Sequence, residues 1–360
     1  MAQQHLDPTD PTAEVVTGDA LGAYLRAQAT EFLRALRLHR ETGGTTAAGA
    51  EESVDWARLL RRSARRISGS LHTFRPLLDA DWSEEMRPEL AWLSGTLGLE
   101  HAYEARLERL LLALHRLSGA TALPVQAVTT VAVGAAAPSD SGGPAHPAAT
   151  QERGNLTVGA AKAGALLERQ LTLARTRAHS TALQALGSSR FHAVADKVAV
   201  LASEVPLTPT APTTDLRPLA AAAEERLTDA IAALPLVVAG NPYNAEALVH
   251  GLSPDPSPHP QDGPWHQVRL LLRLHRYAQE ALHGGNPPAD VGLLAAGRAL
   301  NRHRDASEAA AAAAQAARTP RIAPATAYAL GVLHADQRHE VEAARFAFQQ
   351  AWQKQTVSTP

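Results

Sequence analysis

Apolar residues return at helical spacing along most of this 360-residue chain. In the first such segment, Leu21, Leu25, Phe32 and Leu36 lie on one face of a helix. Aromatic residues make up only 4% of the chain and alanine is abundant, a composition that favours helices over strands. We therefore expect an all-α fold. Beyond about 21–36, the pattern predicts helices at about 53–75, 83–98, 100–118, 156–186, 189–203, 215–233, 265–284, 289–302, 304–317 and 323–354.

Breaks in the helical pattern divide the chain. Ala, Gly, Pro, Ser and Thr dominate 120–155, which predicts a flexible linker or insertion, and the run PDPSPHP predicts a loop at 240–264. The predicted order is a loose tail at 1–17, a first helical bundle at 18–119, the linker at 120–155, middle helices at 156–239, a Pro-rich loop at 240–264 and second-half helices at 265–355.

Composition excludes several classes of protein. The chain has no cysteine, so it has no disulfide, thiolate nucleophile or cysteine-bound metal. Its first residues, MAQQHLDPTDPTAEV, are polar and lack the apolar core of a signal peptide, and no 18-residue apolar stretch is free of charge. We expect a cytoplasmic protein that does not enter the membrane. No helical pair of histidines lies near carboxylates, so neither a metal nor a cofactor is expected.

Charge is segregated into blocks. The formal net charge is only −2, which by itself argues against a protein dedicated to polyanions. However, residues 55–75 contain six arginines and one acid, whereas residues 79–109 contain eight acids and three arginines. A local basic surface can therefore exist on a nearly neutral chain.

Two predicted helices carry stripes of cations. The first stripe consists of Arg58, Arg61, Arg62, Arg65 and His72, and the second consists of His266, Arg269, Arg273, Arg276 and Tyr277. Arginines at this spacing repel one another unless anions lie between them, and the guanidinium fork suits phosphate oxygens. The alternative is a solvated helix face that pairs with the acidic helices at 79–109.

The stripes also suggest an internal duplication. Arg58, Arg61 and Arg65 have the same spacing as His266, Arg269 and Arg273, and each triplet is followed by a second helix and a short motif, at 97–102 and 300–305. A repeat of this size predicts two pseudosymmetric helical bundles. His303, in the second motif, is expected at a helix–helix junction where backbone donors are free.

These segments resemble the CHAD family, the conserved histidine α-helical domain of bacterial proteins. Residues 265–280 resemble its signature LHxxRxxxKRLRYxxE, with Glu280 at the last position, and 300–306 resemble its LGxHxDA element. Residues 61–79 resemble the first-half motif, although Arg58 stands where that motif has histidine and Leu274 replaces a basic residue of the second. The resemblance covers about 17–355.

The resemblance implies two related four-helix bundles whose basic faces line a central groove. It implies non-catalytic binding of inorganic polyphosphate and association with polyphosphate granules. The candidate ligands are Arg58, Arg61, Arg62, Arg65, Arg66, His72, His266, Arg269, Arg273, Arg276, Arg302, His303 and Arg304.

Other functions remain open. A degenerate helical scaffold that recognises a protein partner would keep the groove only as architecture. A phosphohydrolase is less well supported, because phosphoryl chemistry usually needs acids that hold a metal and the stripes contain almost none. Nucleic acid is an unlikely ligand, because the tryptophans and tyrosines have no spacing typical of a base-stacking platform.

Overall fold

The computed structural model describes residues 16–42, 50–119, 147–240, 252 and 259–358. Within these ranges the regular structure is helical, and extended pairing is limited to two isolated bridges, Thr17 with Asp215 and Leu78 with Leu207. The prediction of an all-α fold is therefore confirmed. The predicted tail at 1–15 and most of the predicted linker and Pro-rich loop lie outside the described residues.

The helices follow the predicted order along the chain. They are α1 Gly18–Thr42, α2 Ala50–Thr73, α3 Ala80–Thr96, α4 Leu99–Leu117, α5 Pro147–Leu186, α6 Ser189–Ser203, α7 Arg217–Ala232, α8 Leu236–Ala239, α9 Gly263–Leu282, α10 Val291–Ala317 and α11 Pro324–Ser358. Side chains cap α3 and α6 at their first turn. Asp79 accepts a hydrogen bond from the Trp82 amide at 2.8 Å, and Ser188 accepts one from the Phe191 amide at 3.1 Å.

The largest differences from the predicted boundaries occur at α5 and α10. Helix α5 begins at Pro147, inside the predicted linker, and proline is well tolerated in the first turn of a helix. The helices predicted at 289–302 and 304–317 form the single helix α10, so the prediction of a junction at His303 is wrong. The physical reason is that neither glycine nor proline interrupts the alanine-rich run after Gly297.

The chain forms two compact units. The first unit comprises Met1–Leu99, Ala178–Leu234 and Gln267–Val291, and the second comprises Glu100–Arg177, Pro235–His266 and Gly292–Pro360. Each unit draws its helices from three stretches of the chain, whereas the sequence prediction divides the chain into consecutive segments. The boundaries of those consecutive segments stay a prediction.

The first unit packs α1, α2, α3, α6, α7 and most of α9 around one apolar core. Its fully buried side chains include Phe32, Ile67, Leu90 and Val198. Leucines and an isoleucine of α2 face this core at helical spacing, which turns the arginines of the same helix to its other sides. The core thus determines which cations of α2 can reach solvent.

Helices α2 and α9 make a close contact at Gly69. A Cβ atom at this position would lie 2.5 Å from the ring of Tyr277, so the contact requires glycine. The offset that relates Arg58 to His266 also relates Gly69 to Tyr277. The two helices therefore meet at equivalent positions of the sequence repeat, as a local pseudo-two-fold relation requires.

The second unit has an alanine-rich core formed by α4, α10, α11 and residues 158–177 of α5. Small side chains let these helices approach closely, with Ala309 and Ala313 of α10 packed against Leu330 and Leu333 of α11. At Gly159 a Cβ atom would lie 2.2 Å from the Ala325 carbonyl oxygen, so α5 and α11 also need glycine at their contact.

Candidate polyanion-binding surface

The arginines of α2 lie in different environments. Arg58 and Arg62, one turn apart, are exposed. The side chains of α2 are described from Trp56 onward, and no carboxylate among the described side chains lies within ion-pair distance of either arginine. Arg61 packs against Gly98, and half-buried Arg65 donates from Nε to Ser94 Oγ at 2.8 Å. The structure therefore turns one pair of guanidiniums to solvent and holds the other against α3.

Arg66 is committed to a buried ion pair. Its Nε and Nη2 donate to Glu280 Oε2 and Oε1 at 2.5 and 3.0 Å, and the hydroxyl of Tyr24 donates to the same carboxylate at 3.0 Å. The two charged side chains are only 12% and 7% exposed. Burial, followed by the charge of Glu280, raises the pKa of Tyr24, so its hydroxyl keeps the proton it donates.

Helix α9 contributes three further cations to the first unit. Arg276 is exposed and lies 3.5 Å from Glu280, with its guanidinium carbon 5.3 Å from the centre of the Tyr277 ring. Arg269 and Arg273 are half-buried on the same helix. Glu280 is therefore a carboxylate shared by Arg66 of α2 and Arg276 of α9.

His72 lies near the end of α2 with its side chain exposed. Partial burial and the charges of Arg87 and Arg226 lower the pKa of its imidazole. The ring is therefore less often charged near neutral pH than an ordinary histidine, and it contributes less to a basic surface than the sequence suggests.

In the second unit, His303 belongs to a buried ionic cluster, which we call the Asp262 cluster. Its members are Asp262, His303, Ser307, Arg338, Glu342 and Arg345, all of them buried. The Asp262 carboxylate accepts hydrogen bonds from Arg338 at 2.7 Å, from Arg345 at 2.7 Å and from the Ser307 hydroxyl. Arg345 also pairs with Glu342 at 2.7 Å, so each buried guanidinium has a carboxylate partner.

The environment of His303 keeps its ring neutral. Burial, together with the nearby charge of Arg345, lowers the pKa of His303 to about 4. A neutral Nε2 can accept the hydrogen bond that Arg345 Nε donates at 3.3 Å, and the Trp265 ring stacks on the imidazole at 5.6 Å. Burial would raise the pKa of Asp262, but hydrogen bonds and the charge of Arg338 hold it well below its usual range.

The remaining predicted ligands of the second unit differ in exposure. Arg302 is exposed, whereas Arg304 pairs with the neighbouring Asp305. His266 is half-buried, and its ring centre lies 5.5 Å from that of His303. Because His303 itself has no exposed surface, it is outside the binding surface proposed below.

Sequence reasoning missed most of the Asp262 cluster. Asp262 follows a Pro-rich run and was predicted only as loop, although it lies in a short 3-10 helix, Pro260–Asp262. Arg338, Glu342 and Arg345 occur at helical spacing among the apolar residues of α11. Charged residues on the apolar face of a helix were the available signal, since such residues are rarely buried unless they are paired.

Neither a cluster of potential metal ligands nor a helix suited to span a membrane is found among the described residues. No group of three or more histidine and acidic side chains there could hold a metal ion. None of the helices described is both long enough and apolar enough to span a membrane.

Comparisons with known proteins agree with this architecture. The model of the CHAD domain family matches residues 27–312, and the chain therefore belongs to the CHAD-domain family. It is similar to the solved structure of PptA from Streptomyces chartreusis, with 69% sequence identity over 94% of this chain and 99% of that chain and a TM-score of 0.74. A comparison with curated proteins finds no match.

Proposed function

We propose that this CHAD-domain protein binds inorganic polyphosphate without catalysing a reaction, and that it does so in the cytoplasm or on polyphosphate granules. The binding would use the cations of the first unit, which we call the basic surface. Its members are Arg58, Arg61, Arg62, Arg65, His72, Arg269, Arg273 and Arg276. Arg302, Arg304 and His266 of the second unit remain candidate ligands that the proposal does not require.

The observation that carries the proposal is the exposed pair Arg58 and Arg62. Two guanidiniums one turn apart repel each other, and no carboxylate among the described side chains, which in α2 begin at Trp56, pairs with either of them. A linear phosphate chain offers the repeated charge that relieves this repulsion, and arginine grips phosphate oxygens with a planar fork.

A protein-binding scaffold is the second candidate. Glu280 neutralises part of the charge of Arg66 and Arg276, which weakens the case for a polyanion. In addition, a groove of the second unit is lined by Glu108, Leu112, Arg116 and Glu340 of α4 and α11, and Leu112 is 64% exposed. An exposed apolar side chain with charges of both signs around it is typical of a protein contact.

The test is a calorimetric titration with inorganic polyphosphate at two salt concentrations. It compares the unaltered protein with Arg58→Ala/Arg62→Ala and with Arg169→Ala, an exposed arginine of α5 in the second unit. Ionic binding must weaken steeply as salt rises, because bound counterions are released. We expect the double variant to bind on the order of tenfold more weakly, with a shallower salt dependence, and Arg169→Ala to bind normally.

The outcomes separate the two candidate functions. Tight, salt-sensitive binding that depends on Arg58 and Arg62 supports the polyphosphate proposal. Absence of binding by the unaltered protein at moderate salt would overturn it and favour the scaffold. Equal binding by all three proteins would remove the exposed pair from the site.

A further inference from the structure

The buried contact of Tyr24, Arg66 and Glu280 joins three helices of the first unit. Tyr24 lies on α1, Arg66 on α2 and Glu280 on α9, and all three meet at one carboxylate. This contact is one turn from Gly69 and Tyr277, where α2 and α9 touch. The Glu280 carboxylate therefore lies in the contact between α2 and α9 and also contacts α1.

The exposure of these side chains decides what Glu280 can do. A carboxylate beside two arginines could compete with a ligand for them, and its loss would then strengthen binding. However, the Arg66 side chain is only 12% exposed, and two of its three guanidinium nitrogens donate to Glu280. Removal of the carboxylate would not carry Arg66 to the surface; it would leave a buried cation without its counter-charge.

We infer that Glu280 is a positioning residue for the basic surface: it fixes α2 against α9 through Arg66 and Tyr24, and so holds the exposed cations of the two helices in register. This inference rests on the proposed function, because it names the residue on which the geometry of that same surface depends. Long arginine side chains on a loosened helix pair would still carry charge, but they would lose the geometry that matches successive phosphates.

The direction in which one substitution changes polyphosphate affinity separates a positioning role from a purely electrostatic role. Glu280→Gln keeps the shape of the side chain and makes the region more positive by one charge. Electrostatics alone therefore predicts tighter binding of polyphosphate, whereas positioning predicts weaker binding. We expect Glu280→Gln to bind on the order of tenfold more weakly at a temperature where it is fully folded. Tyr24→Phe, which changes no charge, should weaken binding in the same direction by less.

The matched control is Glu84→Gln. Glu84 also pairs with two arginines, Arg75 and Arg87, but its side chain is 47% exposed. The control variant gains the same charge without losing a buried contact, so it should bind as tightly as the unaltered protein or slightly more tightly. Equal or tighter binding by Glu280→Gln would overturn the inference and leave the proposed function standing.

Amide hydrogen exchange gives a readout that needs no ligand. In Glu280→Gln and Tyr24→Phe, protection should fall in α2 and α9 around Gly69 and Tyr277, while Glu84→Gln keeps it. If the unaltered protein binds no polyphosphate, the proposed function fails. In that case, unchanged hydrogen exchange in Glu280→Gln would overturn the positioning role as well. Selective loss of protection in α2 and α9 would instead show that Glu280 still fixes this helix pair, without a role in polyphosphate binding.

Discussion

The basic surface and the Asp262 cluster use the same side chains for opposite purposes. Both contain arginines on long helices, and both fall partly within motifs that resemble the family signatures. In the Asp262 cluster, Arg338 and Arg345 are buried, and each contacts a carboxylate. On the basic surface, Arg58 and Arg62 face solvent without such a partner among the side chains that the structure describes, which in α2 begin at Trp56. Burial, rather than residue type, separates cations that hold the fold from cations that can bind a ligand.

The difference has a physical basis in desolvation. A buried guanidinium loses its hydration and must recover that free energy from carboxylates and hydrogen bonds, so its partners are fixed. An exposed guanidinium keeps its water, and it can exchange that water for a phosphate oxygen when a ligand arrives. The two regions should therefore respond differently to substitution, pH and salt.

The largest effect is expected at the centre of the Asp262 cluster. Asp262→Asn removes the charge that Arg338 and Arg345 share, which should lower the free energy of unfolding by about 3–5 kcal/mol. Urea unfolding followed by circular dichroism measures this loss. Asp305→Asn is the control, because Asp305 is 43% exposed and its ion pair among the described residues is with its neighbour Arg304. A loss below about 1 kcal/mol at Asp262 would show that the cluster does not hold the fold.

Acid should destabilise the protein through His303. The pKa of its buried ring is about 4 in the folded protein, against an ordinary value near 6.5, so the unfolded chain binds the proton more readily. The contribution of His303 to the free energy of unfolding is then fully present above pH 6.5. It is lost as pH falls from about 6.5 to 4, by on the order of 2–3 kcal/mol. Unfolding measured across this range should show the slope, and His303→Gln should flatten it. An unchanged slope in that variant would assign the effect to other groups.

A matched pair on α2 tests the comparison within one helix. Arg66→Ala breaks the buried pair with Glu280 and should lower the free energy of unfolding by about 2–3 kcal/mol. Arg62→Ala, one turn away and exposed, should change stability by less than about 0.5 kcal/mol but weaken polyphosphate binding and its salt dependence. Thermal unfolding and titration of both variants check the two results. Equal losses of stability would contradict the division between buried and exposed arginines.

Most of the fold could be predicted from the sequence because helices are local. The spacing of apolar residues in α2 and α9 gave both helices and the side from which their arginines project. The repeat aligns Gly69 with Tyr277, and the structure shows that these two residues touch. The predicted break at His303 failed because the alanine-rich run contains no glycine or proline there and continues the helix through that position.

The site could be predicted less well, because burial depends on partners that are distant in sequence. Glu280 was visible as the last position of a motif, but its partner Tyr24 lies on α1 at the other end of the chain. Asp262 is surrounded in sequence by loop residues, and only the folded chain brings α11 against it. The sequence identified which residues carry charge, but it did not show which of those charges are already neutralised.

The smallest effect is expected at His72. A histidine on a basic surface usually gains charge as pH falls through about 6.5 and strengthens anion binding. However, partial burial and the charges of Arg87 and Arg226 lower the pKa of His72, so most of its protonation occurs at more acidic pH. Titrations with polyphosphate at pH 7.5 and 6.5 should therefore show less than about a twofold difference between the unaltered protein and His72→Ala. A difference that grows severalfold by pH 6.5 would show that the ring is readily charged, and His72 would then belong with the exposed arginines as a ligand.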